Sequence, residues 1–316
     1  SDTPPPQPAD AQVDAVDSSA RGEVSRDSST EASPRREDGG DGGPTGPTRR
    51  CDPNKDFGAQ TPLSTLASGF DEESFTMTGD ELTAYFHRMT GAPSTIIQSS
   101  RTAKTEPFGA PTEAGLAIVN AGPGSKEWPA VTPDGLALFY LKNYGLTSPE
   151  TGIYVAVRST LGASFANEVR VPVVTPRPQG LYPPSALHLS SDGRTLYWFD
   201  RNDGVVYEAE RNGPQSISPA RVVATAMALS GFGNSNDRRN GFALSSDELT
   251  LYFPAQMPVL RWATRASKRD TFRYAGSNDN IYGWPRFLTA DGCQLVLANP
   301  ATSRGDTDLS VTSRPL

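Results

Sequence analysis

Aspartate recurs in one setting five times along the chain. It stands in MTGDELTAYF as Asp80, VTPDGLALFY as Asp134, LSSDGRTLYW as Asp192, LSSDELTLYF as Asp247 and LTADGCQLVL as Asp291. Five equivalent carboxylates around a ring would suit metal binding or acid–base chemistry. Their neighbours assign another task. Each Asp precedes Gly or Glu, follows Ser or Thr by two positions, and sits between two apolar runs. A carboxylate so placed accepts backbone N–H groups of a tight turn, so these residues read as turn formers.

Other reactive residue types are sparse. The chain has 2 His and 2 Cys. The histidines are His87, placed just after a strand, and His188, placed on an inner strand as a core residue; with the cysteines they make no zinc set. HExxH, Gly-x-Ser-x-Gly and GxxxxGK[ST] are all absent. DRNDG at 200–204 matches only the front of a calcium loop and falls where a hairpin turn is needed. Neither a metal nor a cofactor is expected.

The phrases themselves reveal what positions these groups. Successive marker aspartates lie 54, 58, 55 and 44 residues apart, a period that signals propeller blades or solenoid units. Each phrase reads strand, turn, strand. A second β-rich run follows and ends in Arg, at Arg101, Arg158, Arg211, Arg265 and Arg314. An apolar residue then opens a fourth stretch: Phe108, Phe165 and Phe272 come seven positions later, and Ile217 six positions later. Four antiparallel strands make one blade. The fold class expected is therefore all-β, a five-bladed β-propeller over residues 53–316.

The fifth unit lacks its fourth strand, because only Pro315 and Leu316 follow Arg314. DFGAQTPL at 56–63 precedes the first unit and resembles PFGAPTEA at 107–114. The N-terminal strand is thus expected to complete the last blade, since an open ring leaves strand edges unpaired. Cys51 then lies just ahead of that strand, and Cys293 in the second strand of the same blade. A disulfide between them would staple the closure, worth about 4–5 kcal/mol on the chain-entropy model. It implies an oxidising compartment: periplasm, outer-membrane surface or exterior.

Residues 1–52 differ in kind. The first fifty carry ten acids and six Arg and contain no aromatic, Leu or Ile. Such a segment cannot bury enough apolar area to offset its ordering entropy, and is expected to be a disordered tail acting as a tether. Ser1 opens the chain without Met, as a processed export product or an arbitrary boundary would; a lipid anchor ahead of it would suit a tether. Net charge is −7, which argues against nucleic acid as a partner. No apolar run is long enough to span a membrane.

VTPDGLALFY followed by TGIYVAVR resembles the WD40-like repeat of TolB-type bacterial envelope propellers, and the resemblance covers residues 56–316. It implies a propeller and an envelope location, with lipoproteins carrying these repeats behind a low-complexity tail as the nearest arrangement. It implies no single activity. TolB itself carries a further α/β domain for which this sequence has no counterpart.

The segments leading into the innermost strands are GFDEES, GSKEWP, QGLYPPS, NDRRNG and NIYGWPR. They place charged and aromatic residues around one mouth of the channel. Glu73, Glu127, Trp128, Tyr182, Arg239, Trp284 and Arg286 form the expected site, for a carbohydrate or protein ligand. The opposing reading has the Trp residues wedged between blades and the charges solvated. The function expected is non-enzymatic binding by a monomer at the envelope or beyond. The alternative is a glycan-active hydrolase or lyase. That chemistry needs two carboxylates about 5–9 Å apart, and only Glu72 or Glu73 with Glu127 stand in suitable places.

Overall fold

β1 (Gln60–Pro62), the first strand of the chain, pairs with the last. Residues 50–91, 93–145, 148–173, 175, 183–202, 204–229, 241–254, 258–300 and 307–316 are described by the computed structural model. The expected tail lies outside these residues except for its last three. The described residues form five antiparallel sheets of a β-propeller and contain no helix, so none is present to cross a membrane.

Blade one holds β2 (Asp71–Met77), β3 (Thr83–Met89) and β4 (Thr95–Ser100). Blade two holds β5 (Ser125–Val131), β6 (Ala137–Asn143), β7 (Gly152–Val157) and β8 (Ala166–Arg170). In blade three β9 (Ser185–Leu189), β10 (Thr195–Asp200) and β11 (Val205–Gly213) are followed by β12 (Ser216–Ile217) and β13 (Arg221–Thr225). Blade four is β14 (Ala243–Leu244), β15 (Thr250–Pro254), β16 (Val259–Thr264) and β17 (Arg273–Tyr282). Blade five is β18 (Trp284–Leu288), β19 (Gln294–Pro300) and β20 (Thr307–Ser313), finished by β1 in the order β1-β20-β19-β18.

Two fourth strands differ from the sequence pattern. Ile217 does not open the outer strand of blade three; it sits in a short hairpin at the end of β11, and β13 pairs β11 instead. In blade one Phe108 is buried, but the segment after it forms no named strand; it meets β4 through the Gln98–Thr112 bridge and the Gly109 N–H, which donates to Ser100 C=O at 2.8 Å. Asn120 completes that edge. Its Oδ1 accepts Ile96 N–H and its Nδ2 donates to Ile96 C=O, both at 2.9 Å, so an amide side chain stands where a strand backbone would.

The marker turns repeat atom for atom. Thr78, Thr132, Ser190, Ser245 and Thr289 each donate a hydroxyl to the Asp two residues on, at 2.6 Å. Oδ1 of each Asp accepts the N–H two residues further, at 2.9 to 3.0 Å. Each hydroxyl oxygen also accepts the N–H that opens the second strand. Burial pushes the Asp134 carboxyl up, but the Thr132 hydroxyl and Leu136 N–H outweigh it and hold it below the usual range. The residue after each Asp has φ between 60° and 72°, which suits Gly135, Gly193 and Gly292 and strains Glu81 and Glu248.

Strand-ending arginines join neighbouring blades. Arg101, Arg158, Arg265 and Arg314 lie over Phe108, Phe165, Phe272 and Phe57, with the guanidinium carbon 4.4 to 4.6 Å from each ring centre. Arg265 also donates to Tyr197 Oη of blade three (3.1 Å), and Arg314 to Tyr252 Oη of blade four (2.8 Å). In place of a Tyr, blade two presents Phe139, whose ring centre lies 5.1 Å from Arg211. At the seam between blades five and one, Val296 fills the Tyr position. There Arg50 takes over, reaching Glu81 of blade one at 2.8 Å and Asp291 of blade five at 2.7 Å.

The next residue, Cys51, is disulfide-bonded to Cys293 with Cα atoms 5.5 Å apart. Asp52 N–H donates to Pro315 C=O at 2.9 Å. Arg314 lies over Phe57 as Arg101 lies over Phe108, so the N-terminal segment occupies the position of a fourth-strand lead in blade five.

Candidate functional site

Every inner strand enters from one end of the channel and leaves at its Asp turn. Near the entry end the inner strands of blades one, two and five are irregular, with register shifts at Glu73/Phe75, Glu127/Ala130 and Pro285/Phe287. The position six residues before the marker Asp has φ 40° at Ser74, 55° at Trp128 and 52° at Ala186. A bulge of this kind redirects side chains, here at the channel wall. Because unrelated residues share the conformation, it belongs to the blade and not to any one side chain.

The entry end brings three blades together. Arg286 of blade five lies 4.9 Å from the ring centre of Trp128 of blade two, so the guanidinium meets an aromatic face across the channel. Gly241 of blade four makes room for it: a Cβ there would stand 2.1 Å from an Arg286 nitrogen. His87 of blade one has its ring centre 6.0 Å from that of Trp128. Its Nε2 is 3.9 Å from Glu73 Oε2, and its Nδ1 is 2.5 Å from Ser74 Oγ. Glu73, Trp128 and Arg286 are each 4% exposed, and His87 is 3% exposed.

Burial drives His87 down to about 3, and the charge of Arg286 adds to the effect. The ring is therefore neutral at neutral pH, and its contact with Glu73 is not an ion pair. Ser74 with His87 has the composition of a nucleophile and base, yet so depressed an imidazole is a weak base and the hydroxyl is itself buried. His87 lies within β3, not after it. Its approach to Ser74 was hidden in the sequence because the bulge shifts the pairing between β2 and β3.

The other expected site residues are distributed as follows. Trp284, 6% exposed, packs in the apolar cluster of Phe75, Val296 and Ala298. Glu127 is half-buried on β5 opposite Leu141. Tyr182 and Arg239 lie outside the described residues. Glu72, adjacent to Glu73, is fully buried and held by Arg88 Nε at 2.7 Å. Lys126, also buried, donates to the carbonyls of Gly122, Gly124 and Pro123 at 2.6, 2.8 and 3.3 Å. These two charges are committed to the fold. Among the described residues no three His, Cys, Asp or Glu side chains stand together as a metal site. Phe70 and Tyr282, which precede the inner strands of blades one and five, are each 46% exposed.

No protein-family model matches the sequence, and no curated protein matches it. Solved structures do resemble it. An α-L-arabinofuranosidase of Podospora anserina, in complex with cellotriose, is 12% identical with a TM-score of 0.51, over 80% of this chain and 94% of that one. A regucalcin of Agrobacterium tumefaciens, a calcium-binding protein, is 12% identical with a TM-score of 0.46, over 82% of this chain and 97% of that one. TolB of Acinetobacter baumannii is 13% identical with a TM-score of 0.45 over 79% of this chain, which spans only 56% of that TolB. At such identities the likeness to the arabinofuranosidase speaks for the propeller fold alone.

Proposed function

We propose that the protein is an exported, non-enzymatic binding propeller carried at the cell envelope or beyond it by the tail of residues 1–52. Its ligand, a glycan or a protein, docks at the entry end of the channel. The observation that supports this reading is the contact of Arg286 of blade five with the Trp128 ring of blade two, at the end of the channel from which the inner strands of blades one and five are entered past the exposed Phe70 and Tyr282. A desolvated Arg–Trp pair and exposed aromatics are each the chemistry of an interface hot spot. The disulfide is compatible with an oxidising compartment outside the cytoplasm.

Hydrolysis is a second reading, favoured by one observation, the 2.5 Å contact of Ser74 Oγ with His87 Nδ1. Against the two-carboxylate version stands Glu72, neutralised by Arg88. Affinity electrophoresis against polysaccharides and pull-down from envelope extract test the proposal, with Phe70→Ala/Tyr282→Ala as the variant. Its surface positions leave the core intact. Expected is retention by the native chain, a tenfold or greater loss in the variant, and no product formation. Release of reducing ends that disappears with Glu127→Gln would overturn it.

A further inference from the structure

The seam between blades three and four and the seam between blades four and five are built from equivalent positions. In the first, Tyr197, Glu208 and Arg221 stand opposite one another across β10, β11 and β13. In the second, Tyr252, Trp262 and Gly276 hold the same places across β15, β16 and β17. The following blade brings an arginine to each, Arg265 to Tyr197 and Arg314 to Tyr252. The first seam is filled. Glu208 accepts from Arg265 Nη1 at 3.1 Å and also pairs with Arg221. Arg221 in turn donates to the backbone carbonyls of Lys268 and Arg269, on the loop ahead of Phe272.

In the second seam Trp262 replaces the carboxylate and Gly276 replaces the arginine that plugs the gap. A Cβ at Gly276 would stand 2.5 Å from Trp262 Cζ2, so the indole rests against bare backbone. A cleft of about 220 Å³ remains, space for about seven waters at about 30 Å³ each. Strand alternation puts Thr250, Tyr252, Leu260, Trp262, Thr264 and Asn278 on the face of blade four that lines it. Pro53 and Asn54 line it too, four and three positions before Phe57, as Lys268 and Arg269 stand before Phe272.

Arg314, which also lines the cleft, is short of partners. The Arg265 guanidinium donates to Glu248 C=O, Glu208, Lys268 C=O and Tyr197 Oη. Among the described residues that of Arg314 donates only to Tyr252 Oη, at 2.8 Å. Its Nε is buried without a hydrogen-bond partner. Its Nη1, the atom that in Arg265 meets Glu208, donates to no described residue. No described carboxylate pairs with it either, although Asp56 shares the lining. A half-buried guanidinium without a counter-charge marks an unfilled anion position.

We propose that this cleft binds a hexuronic acid residue of an acidic glycan. Its carboxylate takes Arg314 Nη1, in the place that Glu208 holds in the neighbouring seam. Its ring lies against Trp262, and its hydroxyls meet the amides of Asn54 and Asn278 and the hydroxyl of Thr264. These neutral polar groups select a sugar acid over an aromatic acid, which has no ring hydroxyls to offer them. The site lies on the outer strands of blades four and five and is separate from the Phe70–Tyr282 end of the channel.

The chain has 4 Trp, of which Trp128, Trp198 and Trp284 are buried, so a fluorescence change on binding reports Trp262. Probes are tri-galacturonate and tri-mannuronate, with galactotriose and mannotriose as neutral counterparts and benzoate and inorganic phosphate as controls. Expected is saturable calorimetric binding of at least one acidic trimer to the full chain, with a matching fluorescence change. Its neutral counterpart, benzoate and phosphate should each bind weaker by roughly tenfold or more. Arg314→Gln should remove the preference for the acidic trimer. Trp262→Glu/Gly276→Arg copies the filled seam and should abolish binding, whereas Phe70→Ala/Tyr282→Ala should leave it unchanged. If either cleft variant does not fold, the native-chain titrations and Trp262→Ala decide. Absence of binding by both acidic trimers would overturn the proposal. Equal binding of a neutral trimer, of benzoate or of phosphate would overturn it as well, as would undiminished binding by Trp262→Glu/Gly276→Arg or by Trp262→Ala.

Discussion

The two imidazoles are both neutral and both buried, and that sets a pH dependence. Burial lowers His87 to about 3 and His188 to about 4, against an ordinary 6.5. The unfolded chain therefore takes up protons first as the medium is acidified. Stability is fully present above pH 6.5 and falls between 6.5 and about 4, by about 1.4 kcal/mol per pH unit for each histidine. Urea titrations across that window should show this slope, and His188→Leu should halve it; an unchanged slope would mean that His188 is protonated in the fold. The marker aspartates act differently. Asp134→Ala removes an acceptor for the Thr132 hydroxyl and the Leu136 N–H, and is expected to cost about 1–2 kcal/mol by urea denaturation. Asp134→Asn keeps that acceptor and should cost less than half as much. The turn role of these residues was legible from type and spacing alone. The Ser74–His87 contact was not, because it depends on a bulge that slips β2 against β3 by one position.

Between elements, the sequence pattern of Arg followed by Phe proved to describe a clamp. Arg101, Arg158, Arg265 and Arg314 each cover an aromatic of their own blade, Arg211 lies against Phe139 of the preceding one, and Arg265 and Arg314 also reach back to a preceding Tyr. Tyr252→Phe should therefore cost about 2 kcal/mol in urea, although Tyr252 lies in blade four and its partner Arg314 in blade five. Arg314→Lys would not restore the loss, because an ammonium cannot cover Phe57 as a planar guanidinium does. The fourth strands were the least legible elements. A seven-residue interval to Phe located the buried ring in blade one but not the pairing, since Asn120 replaces backbone with amide. Asn120→Ala would leave both polar groups of Ile96 unpaired, at an expected cost of about 2–3 kcal/mol. A loss under 0.5 kcal/mol would show that Asn120 is dispensable to that edge.

At the scale of the whole molecule, closure is the dominant event, and it was readable because a missing strand at one terminus matched an orphan strand at the other. The seam lacks the Tyr–Arg link found between blades three and four and between four and five, and in its place carries Arg50, the Cys51–Cys293 disulfide and β1. Replacing both cysteines with Ser should lower stability by about 4–5 kcal/mol and bring the melting temperature of the native chain under reductant to that of the variant. What the ring holds was far less legible. The entry segments advertised charge and aromatics, but folding buries Glu73, Trp128 and Arg286 and leaves Phe70, which carried no motif, at the rim. The most direct test of a binding propeller is one experiment with two readouts. The native chain and Phe70→Ala/Tyr282→Ala are incubated with a panel of polysaccharides and envelope extract, and retention and product release are measured together. The account predicts retention by the native chain, its loss in the variant, and no product in either. Turnover of any substrate by the native chain, or equal retention by both chains, would contradict it.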